Sequence, residues 1–140
     1  MSNLQNLRVM IVDDEPFMRS TIKAMLRVVG RCVVTEADDG ETALALLAMA
    51  KPEVVLCDIS MAPMNGLQFV ERLRNHPNPA ARDIAVVMQT VHADEATIQS
   101  AAHLRISGYL LKPMSPKRLG DRLHAIFRDR PAPEDSAGAA

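Results

Sequence analysis

Five times along the chain, a short apolar run gives way to a segment with helical spacing, and no other feature constrains the fold as much. The runs cover residues 7–12, 32–35, 53–57, 84–88 and 108–111, and each reads as a buried strand. Helices are expected over 16–29, 42–50, 66–75 and 94–104, and from Pro116 onward. In the first, Met18, Ile22, Met25, Leu26 and Val29 recur on one helical face, and Gly30 is placed to end it. Pro52 follows the end of the second, and the third turns Leu67, Val70 and Leu73 inward. Ser115 as N-cap and Pro116 at the first helical position open the last helix, which should bury Leu119, Leu123, Ile126 and Phe127. The stretch HPNPAARD, 76–83, reads as a loop because two prolines and an asparagine leave little else. No strong hairpin signal interrupts the series. The pattern therefore predicts an α/β fold, a doubly wound five-stranded parallel sheet with five helices on its two faces. Right-handed crossovers then place every strand's C-terminal end at one edge, where ligands bind in such folds.

The 140 residues fit one domain, expected over 7–129, with an extension at 1–6. The Pro/Ala-rich tail at 130–140 is expected to be disordered. A net charge of −1, no Trp and a single Tyr argue against a nucleic-acid or base-stacking surface. Cys32 and Cys57 lie inside apolar runs without CxxC spacing, and read as small buried hydrophobes in a reducing compartment. No signal pattern or membrane-length apolar run is present, so a cytoplasmic protein without membrane insertion is expected.

The chemistry lies at the strand ends. The first strand delivers Asp13 and Asp14, the third Asp58, the fourth Thr90 and the fifth Lys112. Three carboxylates, a hydroxyl and an ammonium thus converge on one mouth. Asp13 and Asp14 alone could cap a helix, but acids gathered at one edge repel unless something positive sits among them. A hard divalent cation with oxygen ligands, Mg²⁺ above all, suits them. With Lys112 it could neutralise a phosphoryl group arriving on one carboxylate.

The motifs VDDEP, VVLCDISMAPMNG, VVMQT and GYLLKP, in this order and spacing, resemble the receiver domain of bacterial response regulators, the CheY-like type, over residues 7 to about 129. The resemblance implies a flavodoxin-like strand order 2-1-3-4-5 and Asp58 as phosphoacceptor. It further implies that Asp13, Asp14, Asp58 and the backbone carbonyl of Ser60 hold Mg²⁺. Lys112 would pair with Asp58 and then with the phosphoryl oxygens, while Thr90 and Tyr109 would act as switch residues. Ser60 and His92 stand at the positions that tune the phosphoryl lifetime in the family, where His92 could shield the group, orient water or simply be solvated, and Lys112–Pro113 is a candidate cis peptide. The sequence departs from the family pattern after the acceptor, where Ala62 stands at the usual proline position and Pro63 follows.

The resemblance also implies a histidine kinase or phosphotransfer protein as donor. The target would be an unidentified protein docking on the fourth helix, fifth strand and fifth helix of the sequence-derived order. The last of these helices carries Lys117, Arg118, Arg122, Arg128 and Arg130, which suit an acidic partner or a symmetric dimer. Phosphoryl transfer would here be signalling, not enzymatic turnover. Three other readings compete. A Mg²⁺-dependent aspartyl phosphohydrolase needs a D-x-D pair, and this chain has adjacent DD. A flavin or nucleotide binder needs a phosphate-cradling loop after the first strand. A receiver-like module could also bind partners without phosphorylation.

Overall fold

The computed structural model describes residues 3–91 and 94–131. Five strands, β1 (Arg8–Val12), β2 (Val33–Ala37), β3 (Val54–Asp58), β4 (Ala85–Thr90) and β5 (Gly108–Leu111), form one parallel sheet in the order β2-β1-β3-β4-β5. β1 leads to neighbours on opposite sides, so the strand order reverses there, and a cleft opens beyond the strand ends.

Six α-helices and one 3-10 turn cover the sheet: α1 (Pro16–Val29), α2 (Gly40–Ala50), α3 (Gly66–Arg74), α4 (Pro79–Arg82), α5 (Glu95–Ser100), the turn Ala102–Leu104, and α6 (Pro116–Ile126). Side chains alternate across a strand, so the sheet has two cores. Val9, Ile11, Val54, Leu56, Val87 and Leu110 pack against α1 and α6 through Ile22, Leu26, Leu119 and Leu123. Met10, Val12, Val55, Cys57, Val86 and Met88 pack against the other helices through Leu47, Phe69, Val70, Leu73 and Leu104.

The helix starts follow their caps. Asp39, Asn65, Asp94 and Ser115 each accept a backbone N–H of the first turn, and Asn65 forms a full capping box with Gln68. Pro116 opens α6 as expected. Gly30 ends α1 in an extended conformation, whereas Lys51 (φ 46°) supplies the left-handed residue that ends α2.

Two expectations need correction. The stretch read as a loop contains α4, a single turn capped by the Asn78 side chain on the Ala80 N–H, with Pro79 in the first turn. The helix expected over 94–104 breaks after Ser100 into the 3-10 turn, which Arg105 (φ 56°) closes. Among the described residues there are therefore six α-helices, where five were expected.

Both ends of the described part are packed. Leu4 is buried in the α1/α6 core. The Arg130 guanidinium forms an ion pair with Glu53 at 2.9 Å and donates to the Asn3 and Gln5 carbonyls. Arg130, read as the head of a tail and as part of a basic face, is thus committed to the fold. Residues 132–140 lie outside the described part. Among the described residues, no helix is long and apolar enough to cross a membrane.

Candidate functional site

Parallel pairing sets the site. Val12 stands beside Cys57, which places Asp13 beside Asp58; Asp58 in turn is the register partner of Gln89, and Gln89 of Leu110. By alternation, Asp13, Asp58 and Gln89 share the face that packs on α1 and α6, and Lys112, two past Leu110, returns to that face. Four polar side chains thus lie along one row at the carboxyl edge.

Asp13 is fully buried. Its Oδ1 accepts the Glu15 N–H at 2.9 Å. Its Oδ2 has no hydrogen-bond partner among the described residues and lies 3.6 Å from Lys112 Nζ. Burial pushes the Asp13 carboxyl above the usual range, and neighbouring Asp58 and Asp14 add to this; the Glu15 N–H and Lys112 oppose it without cancelling it. Asp58 is 6 % exposed. Its Oδ1 accepts the Ser60 N–H at 3.2 Å, and its Oδ2 lies 3.3 Å from Lys112 Nζ. One ammonium therefore bridges two carboxylates in a nearly dry setting, where charges interact more strongly than in water.

Asp14 is exposed at the rim. The cleft above the row is lined by Asp14, Glu15, Asp58, Ser60, Val91 and Lys112. Carboxylate oxygens of Asp13, Asp14 and Asp58 all lie within 4.8 Å of one another. Three hard oxygen donors against one ammonium leave excess negative charge, and the unbonded Asp13 Oδ2 is a free ligand atom. The residues therefore fit a divalent hard cation.

Thr90 and Tyr109 occupy the opposite face. Thr90 is buried at the end of β4, in line with Val86 and Met88. Its carbonyl accepts the Lys112 N–H at 2.8 Å, tying the two strand ends together. Half-buried Tyr109 packs against the core on that face, and burial raises its phenol pKa. The structure thus brings Asp13, Asp58 and Lys112 into contact, with Asp14 and Ser60 at their rim. It sets Thr90 and Tyr109 across the sheet from them. His92 lies outside the described residues.

The acceptor loop is held from below. A Cβ on Gly66 would collide with the Asp58 carbonyl oxygen and stand 2.9 Å from Ile59 Cα, so only glycine lets α3 approach this closely. The Gly66 N–H donates to the Ile59 carbonyl at 2.8 Å. Lys112–Pro113 is cis, as the resemblance implied, and so is Ala62–Pro63. Met61, three residues past Asp58, is buried in the core.

Sequence reasoning missed Gln89. It is fully buried, and neither amide atom has a hydrogen-bond partner among the described residues. A polar residue inside the otherwise apolar run before Thr90 was the available signal.

Comparison with known proteins agrees with this architecture. The family model for the response regulator receiver domain matches residues 9–124. Chemotaxis protein CheY-3 of Vibrio cholerae is 33% identical over 88% of this chain and 93% of its own length. A probable transcriptional regulator, ycf27 of Guillardia theta, is 36% identical over 86% of this chain, which spans only 45% of that relative. The crystal structure of CheY4 of Vibrio cholerae superposes with a TM-score of 0.78 at 28% identity, covering 86% of this chain and 98% of that one.

Proposed function

The chain belongs to the response regulator receiver domain family, and from that premise we propose that it takes a phosphoryl group onto Asp58 and passes the signal on by protein contact. The receiver unit covers 7–129, and the compartment is the cytoplasm. The donor is a phosphohistidine on a histidine kinase or a phosphotransfer protein. An Asp58 oxygen attacks phosphorus in line; the P–O bond forms as the P–N bond breaks, and its electron pair leaves with the imidazole. Asp13, Asp14, Asp58 and the Ser60 carbonyl would hold Mg²⁺, which would offset charge on the phosphoryl oxygens.

The observation that carries this reading is the position of Lys112 Nζ, 3.3 Å from Asp58 and 3.6 Å from Asp13. This ammonium orients the acceptor before transfer and is placed to bond the phosphoryl oxygens afterwards. The Ser60 N–H, already on Asp58, is a second donor, at the other carboxylate oxygen.

The readout runs through Thr90 and Tyr109. A phosphoryl group on Asp58 draws the Thr90 hydroxyl toward it, and the movement frees space that Tyr109, on the same face as Thr90, fills. Moving such a switch from mostly off to mostly on needs roughly 5 kcal/mol of differential stabilisation. A few charge-assisted bonds of about 1.5–3 kcal/mol each supply that. The docking face is α5, β5 and α6, where Val91 and Leu111 are exposed apolar neighbours of the mouth. It takes a protein target or a second copy of the chain, not nucleic acid. Ser60 sits in the cleft lining, where its side chain can tune the phosphoryl lifetime; the same role is assigned to His92.

The test is intact-protein mass after incubation with acetyl phosphate, with and without Mg²⁺, beside Asp58→Asn. One added phosphoryl mass that requires both Mg²⁺ and Asp58 is expected. No gain from acetyl phosphate or from a phosphorylated kinase would overturn the acceptor role.

A further inference from the structure

The Asp58 row contains a side chain that the phosphoacceptor reading leaves without work. Gln89 stands directly beside Asp58 in the β3–β4 register, on the same face of the sheet, and its accessible surface is zero. Its backbone is engaged, because its carbonyl accepts the Ile59 N–H at 3.1 Å. Its carboxamide is not: Nε2 and Oε1 both lack a partner among the described residues. Its same-strand neighbour Val87 and its register partner Leu110 on this face are apolar core residues. A buried amide without hydrogen bonds carries its whole desolvation penalty, and a sheet position flanked by such residues would be better filled by an apolar side chain.

That penalty is relieved in any state that brings an acceptor within reach, and phosphorylation changes the acceptors in this row. Both Asp58 oxygens are now served, Oδ1 by the Ser60 N–H and Oδ2 by Lys112. Once Asp58 carries a phosphoryl group, one oxygen becomes the bridge to phosphorus and the other stays a carbonyl. Lys112 has three N–H donors and must then share them with the new phosphoryl oxygens. The Asp58 carboxyl is left short of donors beside an amide with two to give.

We propose that Gln89 is a positioning residue for the phosphorylated state, its Nε2 donating to the Asp58 carboxyl group once that group carries phosphorus. The inference rests on Asp58 being the phosphoacceptor. Gln89 then couples to the phosphoryl group by being satisfied in one state and orphaned in the other, which favours the modified form.

The test uses the full chain with Gln89→Met, close in length and shape, and Gln89→Leu as a second apolar replacement. Beryllium fluoride, a phosphoryl mimic, is titrated calorimetrically in Mg²⁺; Mg²⁺ affinity alone and the ligand-free melting temperature are measured beside it. The expected result is that both variants melt no lower than the parent and hold Mg²⁺ equally well. They should bind beryllium fluoride about tenfold more weakly, the equivalent of about 1.4 kcal/mol. Unchanged beryllium fluoride affinity would overturn the proposal. So would a parallel loss of Mg²⁺ affinity and melting temperature, the mark of a purely structural residue. A parent chain that fails to bind beryllium fluoride would instead remove the phosphoacceptor reading, and this inference with it.

Discussion

At the carboxyl edge of the sheet, Asp13 and Asp58 share a single ammonium, one Asp13 oxygen has no hydrogen bond, and the Gln89 amide lies unbonded beside them. At the opposite edge, Glu53 alone receives the Arg130 Nε and Nη2, the Arg8 backbone N–H and the Arg8 guanidinium. Burial raises the pKa of Asp13 and the surroundings do not compensate. Burial also pulls Glu53 upward, but Arg130 and Arg8 outweigh it, and its pKa falls below the ordinary value. The two carboxylates differ in what surrounds them rather than in kind. One edge is built to hold the strands and chain ends together; the other keeps hydrogen-bonding capacity in reserve for something that arrives later. Such concentration of unmet polar groups is expected at working sites, where local rules are broken and compensated elsewhere.

The contrast can be broken most severely at Lys112. Lys112→Met should slow phosphoryl uptake from acetyl phosphate by about 10²–10³-fold, the usual cost of removing one charge-stabilising donor. Time-resolved intact mass would follow it, and a rate within a few-fold of the parent would show that the carboxylates work without it. At the other edge, Arg130→Met should lower the unfolding free energy by about 2–3 kcal/mol, because it strands a partly buried carboxylate and two backbone carbonyls. Urea denaturation would measure the loss. Phosphoryl uptake should not change, and if it did, the two edges would not be separable.

A third experiment reverses the sign. Asp13→Asn should raise stability in magnesium-free buffer. An acid whose pKa rises on folding destabilises the native state while ionised. Added magnesium should narrow the gap, since only a chain that binds the ion gains from it; melting curves with and without the ion would show this. The smallest effect is in pH. Glu53 has its pKa lowered on folding, so its contribution is complete above the unfolded carboxylate range, roughly pH 4.5, and is lost as pH falls through the folded value. The stability difference between the parent and Glu53→Gln should therefore be constant at neutral pH and shrink below about pH 4.5.

The two edges also differed in how far they could be read from sequence. Asp13, Asp58 and Lys112 were legible because each directly follows an apolar run, and parallel topology sends all such positions to one place. Thr90 and Tyr109 were legible as residue types, but their seat on the far side of the sheet needed the strand alternation in space. The Arg130–Glu53 pair joins residues 77 apart in sequence, and nothing local marks it. Arg130 looked like one more charge on a basic helix. The turn Pro79–Arg82 was missed because four residues are too few to show a period, although Asn78 and Pro79 formed a valid start signal. Gln89 was hidden by the apolar run that contains it; only the register beside Asp58 makes its amide conspicuous.

The Arg130 clamp also fixes where the molecule can be handled. Its guanidinium holds the carbonyls of Asn3 and Gln5, so the start and finish of the described chain meet beneath the sheet. A short linker from residue 131 to residue 3 would close the chain into a ring. That ring could be reopened at a surface turn such as the one around Asn78, giving a circular permutant with the mouth untouched. Tethered by either end to a bead or an electrode, the molecule would present its acidic cleft outward to whatever is in solution.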